Sequence, residues 1–250
     1  MTETFPQNRY SSMTPEMIGA LKEKSLGRQI RKYTSDISTK HKISEDYWVH
    51  YGSLPQEYTK CFKSVLEGKT IEDLVNDKRS PVVIDLMSPS ETLYYLFKWH
   101  PQIPDLGIAV SLLDKRQDWE KERDEKLGIK LVAGDIMKAA TWKKIKETLS
   151  GKKADLIMER ALAGMDYILK NEKMFAILLN QSWKLLNDNG IFLAQLPTGL
   201  HGLEEKGQMR IHEWINMIKK MGINIVHDGP TLKLTKTPNS PENLPFLTLK

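Results

Sequence analysis

The chain has 250 residues, 40% of them hydrophobic and 28% charged, with a formal net charge of +5. That suits one large domain, or one domain with a helical appendage, of ordinary globular composition. No apolar run approaches the ~18 residues of a membrane span. The N-terminus, MTETFPQNRYSSM, lacks the basic-then-apolar order of a secretory signal. The single cysteine, Cys61, excludes an internal disulfide and a cysteine-rich zinc site. A reduced, cytoplasmic setting is the expectation.

The polar first dozen residues give way to helical spacing from Pro15 to about Tyr33, carried by Met17, Ile18, Leu21, Leu26 and Ile30. Glu45 to Tyr51 repeats that spacing with Tyr47, Trp48 and Tyr51. Pro55 can open a further helix with Tyr58, Phe62, Val65 and Leu66 on one face. Thr70 followed by Asp73 resembles a capping box for a short helix, Ile71 to Asn76. Residues 1–78 therefore read as a helical N-terminal extension and 79–250 as the main domain. Lys22, Lys24, Arg28, Arg31, Lys32, Lys40 and Lys42 make the best candidate for meeting an anionic partner. Elsewhere lysines interleave with acids, as in KRQDWEKERDEK, the pattern of a solvated helix face.

The texture changes at Pro81. PVVIDLM is a short apolar run rich in β-branched residues, the mark of a strand buried on both faces. SETLYYLFKWH follows as a helix stopped by Pro101, and its aromatic residues read as packing. LGIAVSLL is a second strand, DWEKERDEKLG a charged helix ending at Gly128, and IKLVAGD a third strand. TWKKIKETLSG is a helix with Thr141 or its neighbour as cap. ADLIMER is the fourth strand, and the helix from Glu172 to Leu186 ends in the terminator Asn187-Asp188-Asn189-Gly190. GIFLAQLP is the fifth strand. Ile211, Trp214, Ile215 and Ile218 mark a helix closed by Gly222, INIVHDG is a sixth strand, and TLKLTKT or LPFLTLK supplies a seventh. Strict alternation predicts an α/β domain with a doubly wound, mostly parallel seven-stranded sheet and helices on both faces. In such sheets the ligand crevice lies beyond the carboxyl ends of the strands.

At those ends stand Asp85-Leu86-Met87-Ser88-Pro89-Ser90, Ser111-Leu112-Leu113-Asp114, Gly134-Asp135-Ile136, Glu159-Arg160 and Gln195-Leu196-Pro197. The order of elements, the Asp closing strand one, the Gly-Asp closing strand three and the Asn-Gly leading strand five resemble the class I S-adenosylmethionine-dependent methyltransferases, over about Pro81 to Lys250. The resemblance implies S-adenosyl-L-methionine as cofactor. It implies that the loop Asp85, Leu86, Met87, Ser88 and Ser90 wraps the methionine part. The ribose position falls on Ser111 and Leu112, with Asp114 as the nearby acid. Gly134, Asp135 and Ile136 match the adenine pocket. Glu159, with Arg160, falls where the methyl group and substrate meet. The family's glycine-rich loop is replaced: its three glycine places hold Met87, Pro89 and Glu91.

For the chemistry, Glu159 is the candidate general base, and Arg160 would bind an anionic acceptor or pair with Glu159. The serine-bearing loop can cap a helix start whose N–H groups would suit a carboxylate. Residues 199–207, with Gly199-Leu200-His201-Gly202, read as a lid or a surface loop. The six histidines are scattered away from metal-ligand spacing, so no metal is expected. The absence of a Walker loop and of GxGxxG counts against nucleotide triphosphatase and nicotinamide chemistry. Three functions stay open: methyl transfer to an unidentified small or macromolecular acceptor, a catalytically inactive methyltransferase-like scaffold, and RNA methylation. No membrane partner is expected, and oligomeric state is not readable.

Overall fold

The computed structural model describes residues 54–86, 88–98, 100, 104–111, 113–114, 116–136, 138–160, 172–195 and 205–245. The helices expected at Pro15–Tyr33 and Glu45–Tyr51, and the basic stretch Lys22–Lys42, lie outside these residues.

Two helices come first, α1 (Pro55–Phe62) and α2 (Ile71–Asn76). Pro55 starts α1 at a position where a missing N–H costs nothing. The expected capping box of α2 is formed: Asp73 N donates to Thr70 Oγ1 over 3.1 Å, and Thr70 N to Asp73 Oδ2 over 2.7 Å. Strand–helix units follow in alternation: β1 (Val82–Leu86), α3 (Glu91–Lys98), β2 (Leu106–Ser111), α4 (Asp118–Lys126), β3 (Ile129–Ala133), α5 (Ala139–Leu149), β4 (Ala154–Glu159), α6 (Glu172–Leu185), β5 (Leu186–Gln195), α7 (Glu205–Lys220), β6 (Asn224–Asp228) and β7 (Thr231–Thr235). TLKLT thus supplies the seventh strand.

The sheet order is β3-β2-β1-β4-β5-β7-β6. The first five strands are parallel, and β7 runs antiparallel between β5 and β6. The chain therefore winds outward from β1 in one direction and then, from β4, in the other. This is the doubly wound, mostly parallel arrangement expected from the alternation. Pleat alternation explains the unbroken apolar runs. Val83, Ala109, Leu156, Met158 and Leu193 share one core with Tyr58, Phe62, Ile71, Leu93 and Phe97. Ile84, Ile108, Ile157 and Phe192, on the opposite pleat, are fully buried as well. So α1 and α2, read as the end of the extension, pack into the sheet's own core. Gly107 is needed there because a Cβ would stand 2.7 Å from the Phe97 ring.

Two local expectations are corrected. Thr141 does not cap α5: the helix opens two residues earlier, with Lys138 at the N-cap, and the Thr141 hydroxyl donates to Asp135 O over 2.6 Å. Asn187-Asp188-Asn189-Gly190 does not separate α6 from β5 but lies inside β5. Asn189 takes a left-handed φ of 61° there, and the pairing with β4 shifts register between Ala154 and Leu156. The β7 end holds this irregular start, with Asn189 N donating to Lys236 O and Lys236 N to Gly190 O.

Candidate active site

Parallel neighbours end on the same side, so the order β3-β2-β1-β4 sets four strand ends in a row. Asp85 and Leu86 close β1, Ser111 closes β2, Gly134, Asp135 and Ile136 follow β3, and Glu159 closes β4 with Arg160 next. The structure thus brings these residues to one rim. Met87, Leu112 and residues 199–204 lie outside the described residues, while 205–207 belong to the first turn of α7.

Two acids dominate the rim. Asp85 and Glu159 are each 0% exposed. In register, Asp85 pairs with Met158 and faces α1, whereas Glu159 pairs with Leu86 on the other pleat. Tyr58 Oη donates to Asp85 Oδ1 over 2.7 Å. Burial pushes Asp85 up to about 7, against the pull of Tyr58, the Ser88 and Thr92 hydroxyls and the Arg160 charge. Burial likewise pushes Glu159 up to about 8; the bond from Gln195 N over 3.0 Å opposes this, and the neighbouring Asp85 charge adds to it. Burial and then the Asp85 charge hold the Tyr58 phenol well above its ordinary value. Among the described residues, Asp85 Oδ2, Glu159 Oε1 and Gln195 Oε1 are buried acceptors with no hydrogen-bond partner. Such atoms are costly unless something donates to them. Arg160 reaches Glu57 at 3.4 Å and lies 5.7 Å from the centre of the Tyr58 ring.

The β3 end is pinned by α5. Asp135 O accepts from Thr141 Oγ1 over 2.6 Å and from Lys138 N over 2.9 Å, and Ile136 O accepts from Trp142 Nε1 over 2.8 Å. Gly134 N donates to Ser111 O over 2.9 Å, tying this turn to the β2 end. A Cβ at Gly134 would meet Thr141 Oγ1 at 2.6 Å, so the turn requires glycine. Asp135 is therefore presented from a turn whose backbone acceptors are already satisfied.

Charged residues brace the β1 loop. Ser88 and Ser90 are buried, Ser88 N donates to Val110 O over 2.9 Å, and the Ser90 hydroxyl donates to Asp124 Oδ2. Asp124 is 0% exposed. It meets Arg116 at 3.0 Å through Oδ2 and Arg123 at 2.7 Å through Oδ1. Arg116 also forks onto Asp114, Nε to Oδ1 at 3.0 Å and the terminal nitrogen to Oδ2 at 2.8 Å. Burial raises the Asp114 carboxyl, but the Arg116 fork outweighs it and leaves the group below the ordinary range. The run KRQDWEKERDEK is thus not solely a solvated face: Asp124 is its buried centre.

No protein-family model matches the chain, and no curated protein matches it. Among solved structures, the methyltransferase MycE of the mycinamycin biosynthetic pathway, in complex with Mg and SAH, is similar over 78% of this chain and 52% of its own, at 12% identity and a TM-score of 0.47. The fibrillarin pre-rRNA processing protein of Methanococcus jannaschii is similar over 73% of this chain and 75% of its own, at 12% identity and a TM-score of 0.43. The N-methyltransferase NodS from Bradyrhizobium japonicum WM9 is similar over 72% of this chain and 96% of its own, at 11% identity and a TM-score of 0.40. The chain spans about half the length of MycE, 52%. Five parallel strands wound both ways from β1, closed by an antiparallel β7, settle the architecture. This is the doubly wound α/β arrangement that the sequence resemblance to the class I methyltransferases implies.

Within this sheet, several rim residues carried little sequence signal. Tyr58 was visible only as one apolar position of a helix. Cys61, from the same helix, receives a bond from Gln195 Nε2 over 3.2 Å, and burial pushes its thiol up. Gln195 stood at a strand end but offered no chemistry of its own. Arg116, Arg123 and Asp124 were hidden in a run whose charges alternate without apolar spacing. Among the described residues no group of three His, Cys, Asp or Glu side chains could hold a metal ion, and no helix is long and apolar enough to cross a membrane.

Proposed function

We propose that this chain transfers a methyl group from S-adenosyl-L-methionine to an acceptor, and that the rim formed by β3, β2, β1 and β4 holds the donor. The observation that carries the reading is the convergence of Asp85, Ser111, Gly134-Asp135 and Glu159 on one rim, with Asp85 Oδ2 and Glu159 Oε1 buried and, among the described residues, lacking donors. Bare buried acceptors fit a ligand that brings an ammonium, a sulfonium and hydroxyls. Asp135 would accept from the adenine amino group, flanked by Gly134 and Ile136. Ser111 and Asp114 would meet the ribose, beside Leu112. The loop from Asp85 through Leu86, Met87, Ser88 and Ser90 would hold the methionine part.

When bound, the donor supplies an activated methyl group open to in-line displacement. Glu159 and Arg160 stand where the acceptor would enter. With its pKa near 8, Glu159 is poised to take a proton from an acceptor hydroxyl or amine onto Oε1 at mildly alkaline pH. Tyr58 and Asp85 fix the loop and exclude water from its base.

A second reading has its own observation. Asp85 is sealed under Tyr58, and Met87, Pro89 and Glu91 occupy the family's glycine places. On that reading the chain is a catalytically inactive scaffold. Thermal-shift titration with S-adenosylmethionine decides between them, since specific binding raises Tm by mass action. Methyl-donor binding predicts a saturable rise that is larger at pH 8.5 than at pH 6, because the cation meets ionised acids only at the higher pH. No rise at either pH favours the scaffold.

A further inference from the structure

On the opposite rim, at the amino ends of β4 and β5, lies a cavity of about 300 Å³. Lys146 from the last turn of α5, Lys152 and Lys153 from the turn into β4, Lys184 from the end of α6 and Lys236 after β7 line it, with Glu242 the acid among them. β4 has 6 residues, so a rise of about 3.3 Å per residue sets this hollow roughly 17–20 Å from Glu159.

Part of this charge has a plain structural use. Lys153 Nζ donates to Lys184 O over 2.6 Å, and Lys236 Nζ to Trp183 O and Leu186 O, each over 3.3 Å. Trp183 O and Lys184 O lie in the last turn of α6, where the helix dipole is negative, and Leu186 O opens β5. Lys152 pairs with Asp105 at 2.5 Å. Among the described residues, however, Lys146, Lys153, Lys184 and Lys236 form no ion pair with a carboxylate. Asp105 offsets one lysine, Glu242 and Asp188 both act on Lys236, and the ends of α5 and α6 offset about half a charge each. An excess of roughly one positive charge remains, spread over five ammonium groups around one concavity. Their mutual cost is visible at Lys236, which burial first and then the Lys153 charge hold below the ordinary lysine range. A hydrated monovalent ion has no geometric reason to prefer this hollow, whereas a compact, multiply charged anion would meet several ammonium groups at once.

We propose that this hollow is a phosphate-binding site, taking the phosphates of a free polyphosphate or the backbone phosphates of a nucleic acid. It does not rest on the methyl-transfer reading. The test is titration of the full chain with inorganic tripolyphosphate at constant ionic strength, read by calorimetry and thermal shift. Saturable binding is expected. It should weaken by about tenfold or more in Lys146→Glu/Lys184→Glu, whose side chains hold no bond among the described residues, and stay unchanged in Lys219→Glu/Lys220→Glu on α7, which keeps the net charge equal. Displacement of tripolyphosphate by a short single-stranded RNA assigns the site to a nucleic-acid backbone; binding without displacement assigns it to free polyphosphate. Absence of saturable binding, or equal weakening in both double variants, overturns the proposal.

Discussion

The Tyr58 hydroxyl donates to Asp85 Oδ1 over 2.7 Å, joining α1 to the end of β1 across 27 positions of chain. Tyr58→Phe keeps the ring packing and deletes that donor. At pH 8, where Asp85 is largely ionised, stranding its oxygen should cost about 1–3 kcal/mol. At pH 5 the protonated acid needs the donor less, and the cost should shrink. Urea unfolding at the two pH values measures the difference; equal losses would mean that the bond does not carry Asp85's charge.

Burial lifts Asp85 to about 7 and Glu159 to about 8, whereas both titrate near ~4 in an unfolded chain. Between those values the folded protein holds more protons than the unfolded one, so stability falls as pH rises through that window. The contribution of these groups is fully present below about pH 4 and lost above about pH 8. Glu159→Gln should therefore raise stability by roughly 2–4 kcal/mol at pH 8 and leave it nearly unchanged at pH 4. Denaturant midpoints across this range check the slope, and profiles that run parallel to the parent's would refute it.

Asp124 is the hub of the loop brace. Asp124→Asn takes the carboxylate from Arg123 and leaves Arg116 with Asp114 alone, at side chains only 22% and 13% exposed. The loss should be about 3 kcal/mol, the scale for breaking a buried pair from one side. Asp118→Asn is the control, because the Asp118–Lys121 pair is exposed and should be worth less than ~0.5 kcal/mol. Urea unfolding of both variants should separate them by a wide margin; similar losses would show that the cluster is not a brace.

The parts that sequence made legible are those with a short period. PVVIDLM, LGIAVSLL and GIFLAQLP read as strands because both pleats are covered, and their alternation with helices forced the parallel sheet. Once strands are parallel, their carboxyl ends must share a rim, so Asp85, Ser111, Asp135 and Glu159 could be grouped without coordinates. What failed to show was which side chain answers which. Helical periodicity gives Tyr58 a face but not the acid its hydroxyl meets. The α4 sequence DWEKERDEK has no apolar stripe, so nothing local marks Asp124 as the inward residue. Thr141 looked like a cap because caps are local, yet its hydroxyl serves a carbonyl 6 positions earlier.

If the acid rim holds the methyl donor, S-adenosylhomocysteine should bind the full chain at pH 8. Calorimetric titration of the parent and of Asp135→Ala reads this without any acceptor. Saturable one-to-one binding is expected, weakened by the substitution by about 1–3 kcal/mol, roughly 5- to 150-fold. No binding at millimolar ligand, or an affinity indifferent to Asp135, would mean that the rim is not a donor site.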